Sequence, residues 1–358
     1  MNIVDELFKE DYFKDINNIG LLHLNVEFFA FYVSLLKEKQ NRSILIVTPN
    51  VYEASKINNS MLNYTDSLFY QMDDIVSSSV DAKSPELKLD RINTLTDILN
   101  NKKRVVITDL NGFLKKIPSP NHFKNSIISL KKGEEINRDL LLKKLYESGY
   151  EKETIITSPG KLGVRGFVID VFPSNTENPV RIEFFGDEIE SIRFFNANTQ
   201  KSIEEKEEII IYPFIDEENN DFATLIDYLD NPIVIFKDYN SIETSYNMLI
   251  NDIKEFNVDQ TSFITDFNDI KINDVMYYLD FDSNLISKKM SKIIDFEVSS
   301  VSKLNEDIDK INHYLKNQLS QNKTIILCLN MKNKNKFLDS LTLSYVLTTM
   351  DNIYLEKL

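Results

Sequence analysis

RGFVIDVFPSNTENPVRIEFFGDEIESIRFFNANTQKS, residues 165–202, decides how this chain is read. It reads as strand, loop, strand, turn, strand, with runs at 166–172 and 180–185, turn-rich 173–179 between them, and alternating faces in the second run. Gly186-Asp187 then predicts a tight reversal into a third run, 189–195. The period of two makes these strands of one antiparallel sheet. In the second run Val180, Ile182 and Phe184 share one face, while Arg181, Glu183 and Phe185 share the other. A half-buried sheet turns polar side chains to water. A phenylalanine among outward charges, with Arg165 close by, is therefore either the apolar centre of an interaction surface or a chance feature of a charged sheet face. Pairing Phe172 with Val180 sets Val171 opposite Arg181 and Phe167 opposite Phe185, with Arg165 diagonal to Phe185. A register shifted by one sends Arg165 to the opposite face, and the sequence leaves both open.

On either side of this block the style is different. Between residues 1 and 122, helical patterns at 23–39, 52–62, 85–99 and 110–116 alternate with nearly continuous apolar strands at 42–48 and 104–108. Uninterrupted apolar strands between helices predict a parallel sheet covered on both faces. The rhythm returns after residue 216, with helices expected at 222–229 and 241–256 and strands at 232–237 and 275–281. The predicted fold class is therefore α/β: a motor-like α/β domain in two halves, an inserted α+β domain with an antiparallel sheet, and a partial α/β module at the C-terminus. The boundaries are 1–123, 124–213, 214–290 and 291–358. The last module, with a helix at 303–319, a strand at 323–329 and a helix at 333–341, reads as incomplete, which suggests a chain cut from a longer one.

The whole chain has 358 residues and a formal charge of -15. A protein that lives on phosphate contacts needs clustered Lys and Arg, so non-specific DNA binding by the chain as a whole is disfavoured. The lone Cys328 sits in an apolar run and reads as a buried thiol. With no disulfide possible, no apolar stretch of spanning length and an acidic N-terminus, a cytoplasmic protein with no membrane partner is expected.

Residues for chemistry are scarce. A nucleotide-using motor needs Gly-x-x-x-x-Gly-Lys-Ser/Thr, whose amides wrap the phosphates. Gly20 is followed by none of the later elements, and Glu27 would repel phosphate. Gly160-Lys161 precedes a strand rather than a helix. His23, His122 and His313 are too scattered for a metal cluster, and His23 reads as a partly buried core residue. Asp73-Asp74 reads as a solvated turn, Asp109 as a helix cap and 204–208 as a solvated acidic loop. No catalytic, cofactor or metal residues are assigned.

The block RGFVIDVFP…PVRIEFFGDEIESIRFFNANTQKS resembles the signature of the transcription-repair coupling factor (Mfd) family, and more loosely that of the repair protein UvrB. Ser84-Pro85-Glu86-Leu87 with Arg91 and Leu95, Val105 through Leu114, and Leu130 through Gly133 with Asn137-Arg138-Asp139 are similar to neighbouring family segments. The resemblance covers about residues 1–290, and more weakly 294–358. It implies a UvrB-like module whose first domain keeps a motor-like fold without nucleotide binding, and whose inserted domain docks UvrA. The family's binding residues fall on Arg165, Arg181 and Phe185, within a face that includes Gly166 and Glu183. Arg165 and Arg181 would meet acidic or carbonyl groups of UvrA, and Phe185 an apolar pocket. Lys201 stands where the family has Arg, losing a bidentate fork.

By the same resemblance, RNA-polymerase and duplex-DNA binding, the ATP- and Mg-dependent motor, and a C-terminal domain that masks the UvrA face would all lie beyond residue 358. No cofactor and no enzymatic activity are then expected of this chain. The competing expectation is a degenerate NTPase or helicase half acting directly on DNA.

Overall fold

The computed structural model describes residues 10–73, 84–101, 103–216, 220–255, 264–279, 290–296, 307–321 and 334–343, with single positions 298 and 325. They fall into two compact units, residues 15–297 and residues 1–14 with 298–358.

In the larger unit the chain begins β1 (Ile19–Leu22), α1 (Val26–Gln40), β2 (Ile44–Thr48), α2 (Val51–Met61), β3 (Ser67–Tyr70), α3 (Pro85–Asn100), β4 (Val105–Asp109) and α4 (Leu110–Leu114). Side chains with no better use in a helix interior start these helices. Asn25, Asn50 and Ser84 accept amide hydrogens from Phe28, Glu53 and Leu87, and Pro85 fills a first-turn position where its missing N–H costs nothing. Every residue of β2 and β4 is buried, as expected of apolar strands covered on both sides.

The chain then leaves for β5 (Ile117–Pro118), α5 (Pro120–Asn125), β6 (Ile128–Lys131), α6 (Arg138–Glu147), β7 (Glu151–Lys152), β8 (Lys161–Arg165), β9 (Val168–Val171), β10 (Val180–Phe185), β11 (Glu188–Phe195), β12 (Ser202–Lys206), β13 (Glu208–Ile211) and β14 (Phe222–Ala223). It returns through β15 (Ile233–Lys237), α7 (Tyr239–Glu255), β16 (Asp274–Leu279) and β17 (Lys292–Asp295).

Two sheets carry the architecture. A seven-stranded sheet of order β17-β1-β16-β15-β2-β4-β3 is parallel at every pairing, and β15 joins β2 although more than 180 residues separate them. The excursion between β4 and β15 builds a six-stranded sheet, β12-β11-β10-β9-β8-β7. The predicted α/β class, with a parallel sheet interrupted by an antiparallel one, is borne out.

The neck of the excursion is closed twice by short antiparallel ribbons, β5 with β14 and β6 with β13. Between β13 and β14, Asp216 accepts Nε (2.9 Å) and Nη2 (2.7 Å) of Arg91 on α3, and Asp73 stands 3.1 Å from the same guanidinium. One continuous apolar cluster runs from Val47 and Ile92 of the parallel sheet side through Phe123 and Tyr150 to Ile169 and Ile182 of the antiparallel sheet.

Gly20 lies inside β1, where a Cβ would fall 2.4 Å from Met290 Sδ, so glycine there serves close packing. Several expectations are corrected. His23 is exposed and bonds Asp295 Oδ1 at 2.8 Å, where a core residue was expected. Asp73 serves Arg91 instead of standing in a solvated turn. Of residues 204–208, expected as a loop, Glu204–Lys206 end β12 and Glu208 starts β13, with Glu207 the bend between them, and the carboxylates of β12 blunt a sheet edge. The helix expected at 222–229 is β14 followed by a four-residue 3-10 turn, because Thr224 and Asp227 form a capping box over one short turn only. The linker expected from residue 291 begins with β17, the outermost strand of the parallel sheet.

The described elements of the second unit are a 3-10 turn at Glu10–Phe13, α8 (Ile308–Ser320) and α9 (Lys334–Asp339). Asn312 on α8 donates to Ser340 O and accepts from Thr342 N. Cys328 and the strand expected at 323–329 lie outside the described residues.

Candidate protein-interaction face

The six-stranded sheet is antiparallel except where its edge strand β7 joins β8, and its hairpin turns follow from local chemistry. Arg165 pairs with Val168 across the two-residue turn Gly166-Phe167, and Phe185 pairs with Glu188 across Gly186-Asp187. Gly166 and Gly186 sit at φ +57° and +65°, the left-handed region where a side chain is strained. Both turns lie at the same end of the sheet, since β10 runs antiparallel to β9 and ends where β9 begins.

The reversal at Gly166 settles the register. Val171 pairs with Val180, Asp170 with Arg181, Ile169 with Ile182 and Val168 with Glu183. This is one residue away from the expected pairing of Phe172 with Val180. Phe167 stands beside Phe184, whose amide donates to the Phe167 carbonyl at 2.9 Å, and not opposite Phe185. The strand expected at 166–172 is a turn at Gly166-Phe167 followed by β9, so Arg165 ends β8 before the chain turns back. Alternation restarts at the turn, and Arg165 keeps the outward face despite the shifted register.

Cross-strand partners share a face. Arg165, Val168, Glu183 and Ser191 form one outward row, and Gly163, Asp170, Arg181 and Arg193 form the next. Ile169, Ile182 and Ile192 fill the opposite, buried side. Phe185 follows Glu183 along the outward face and is 77% exposed, opposite a bulge that leaves Glu190 of β11 without a partner on β10.

The charged residues differ in how far they are committed. Asp170 is 4% exposed and grips Arg181 with both oxygens, Oδ1 to Nε at 2.7 Å and Oδ2 to Nη2 at 2.8 Å. The guanidinium lies 4.5 Å over the Phe195 ring, with Gln200 Oε1 3.4 Å from Nη2. The hydrogen bonds that Arg181 donates to Asp170 push its pKa further up, so it stays charged. Glu183 is held by Arg193 and by the Ser191 hydroxyl, which donates at 2.9 Å. Arg165 is exposed, and its Nη2 donates to the Thr154 carbonyl at 2.7 Å. Arg138, the first residue of α6, donates to the Gly166 carbonyl and ties down the turn.

Arg165, Arg181, Glu183 and Phe185 therefore share one face, with Gly166 as the turn that presents it. Arg165 and Glu183 lie in one row two strands apart, roughly 9–10 Å between backbones. Asp170, which lies beside Arg181, and Arg138 and the 64%-exposed Phe167, which lie at the turn end, were not among the expected site residues. Asp170 carried a readable signal, because a lone carboxylate in the apolar run VIDVF must find a cation once buried.

Elsewhere Asp109 caps α4 by accepting from Gly112 N at 3.0 Å, and burial pushes its carboxyl up to about 6. Among the described residues no group of three or more His, Cys, Asp and Glu is placed to hold a metal ion. No helix among them is long and apolar enough to cross a membrane.

Residues 128–216 match the UvrB interaction domain family. The transcription-repair-coupling factor of Staphylococcus aureus (strain bovine RF122 / ET3-1) is 33% identical over 273 residues, which cover 71% of this chain and 22% of that protein. The transcription-repair-coupling factor of Bacillus subtilis (strain 168) is 33% identical over 187 residues, 51% of this chain and 16% of the relative. The chain spans about a fifth of the length of these relatives. The resemblance read from the sequence motifs is borne out.

Proposed function

From this kinship with the N-terminal region of transcription-repair-coupling factors, we propose that the chain is a docking module that binds UvrA in transcription-coupled nucleotide excision repair. The observation that carries the reading is Phe185, a large ring left 77% exposed on the outward face that also holds Arg165, Glu183 and Arg181. A desolvated aromatic beside an arginine is where interface energy concentrates. Phe185 would enter an apolar pocket of the partner, Arg165 would meet an acidic or carbonyl group, and Gly166 would shape the turn between them. The module works by binding and has no ATPase activity of its own. Placement of Gly20 within β1 supports that part of the reading. Contacts with RNA polymerase and DNA, and the translocase activity, would belong to the longer protein.

A pull-down with purified UvrA tests the assignment. The double variant Arg165→Ala/Phe185→Ala should lose about 30-fold or more in affinity, the equivalent of truncating one hot-spot side chain by about 2 kcal/mol. Undiminished binding refutes it. If a C-terminal domain masks this face in the longer protein, the fragment should also capture UvrA more readily than its parent does.

A further inference from the structure

We propose that Asp170 is a positioning residue for the docking face, holding Arg181 as a fixed and neutralised plate, and that Arg165 alone supplies the charge a partner feels. This rests on the docking reading above. Both oxygens of Asp170 are engaged by Nε and Nη2 of Arg181, and the flat side of the guanidinium is stacked on Phe195, itself fully buried. A partner that drew Arg181 away would strand a carboxylate that is 4% exposed, the costliest way to break a buried pair. Arg181 therefore meets its partner in the pose it already has.

The neighbouring pair, Glu183 with Arg193, meets through Nη2 alone but carries no net charge either. Arg165 differs. Its one hydrogen bond goes to a neutral backbone carbonyl, and among the described residues no carboxylate lies within ion-pair distance of it. Lys161, on the same strand, is already shared by Glu151 and Glu153 at 2.8 and 3.4 Å. An exposed, uncompensated charge steers association and is screened by salt, whereas a neutralised pair does neither.

The roles separate in a titration of the chain with UvrA at about 0.05 M and about 0.5 M salt, between which the screening length falls severalfold. Arg165→Gln should weaken binding at low salt and remove most of the salt dependence. Arg181→Lys should weaken binding about tenfold at both salt concentrations and leave the salt dependence of the parent in place, whereas Asp170→Asn should weaken it about tenfold while raising the salt dependence, because it uncovers the Arg181 charge. Combining the two should cost little more than either alone, because they break one unit. Tighter binding by Asp170→Asn would show that Arg181 is itself the charge contact and would overturn the proposal. So would parental affinity in Arg181→Lys, which keeps the charge without the fork and decides the matter should Asp170→Asn not fold. Parental binding by Phe185→Ala and Arg165→Gln together would instead sink the docking reading beneath it.

Discussion

Replacing Asp216 by Ala should be among the most damaging single changes available in this fold. Arg91 is 3% exposed, and Asp216 takes two of its donors at 2.9 and 2.7 Å. Lys88 adds a weaker contact at 3.9 Å. Removing one partner of a buried pair typically costs about 3–5 kcal/mol, because the remaining charge is left uncompensated. Arg91 keeps Asp73 at 3.1 Å and the Gln71 carbonyl at 3.3 Å, which places the loss at the lower end, about 3 kcal/mol. For a unit of this size that corresponds to a fall in melting temperature of roughly 6–12 °C. Circular dichroism melts of the two proteins measure it directly. The double variant Arg91→Met/Asp216→Leu should recover most of the loss, since well-packed apolar side chains can replace a buried pair at little cost. A drop below about 1 kcal/mol in the single variant, or a double variant worse than the single, would refute the reasoning.

Asp109 gives a pH signature. Burial lifts its folded-state pKa to about 6, above an unfolded value of about 4. Below about pH 4 it is protonated in both states. Between about 4 and 6 only the unfolded chain releases the proton, so stability falls as pH rises, and above 6 the penalty is constant. Asp109→Asn, which keeps a capping oxygen for Gly112, should gain roughly 1–3 kcal/mol at pH 7.5 and flatten that slope, and an unchanged slope in the melts counts against the assignment. Mg-ATP should leave the melting temperature where it is. A ligand at 100 times its dissociation constant would add about 2.7 kcal/mol, so a rise of several degrees would restore the NTPase reading.

Much of this architecture was legible because strong patterns are long. The parallel sheet follows from unbroken apolar runs such as Ile44–Thr48 and Ile233–Lys237, which can only be covered on both faces. The helix at Arg138–Glu147 was marked by Asn137 before it and Gly149 after it. Short elements were not legible. β1 and β17 have four residues each and draw their stability from pairing with distant strands, which no local pattern announces. The reversal at Gly166 was missed because RGF lacks the Asn-Gly or Asp-Gly pair that marks two-residue hairpins. That one turn changed the register, yet Arg165, Arg181, Glu183 and Phe185 still emerged together, since the alternation within β10 was read correctly. What could not be seen was how far each arginine is already spent. Exposure of Arg165 and capture of Arg181 by Asp170 depend on which residues face one another across strands.

The position of β1 has a consequence for synthesis. It is the first of the described strands, and its only ladder partners among the described residues are β16 and β17. Leu279, which closes the nearer of the two, is 257 residues downstream of Leu22. At about 5–20 residues per second, a ribosome needs roughly 13–51 s to cover that distance. Throughout that interval the nascent chain carries an apolar segment that has nothing to pair with, while the hairpins of the excursion, whose contacts are local, are free to assemble. A ribosome that stalls before Leu279 would therefore release a polypeptide whose hairpin sheet is already built while its opening strand still lies bare.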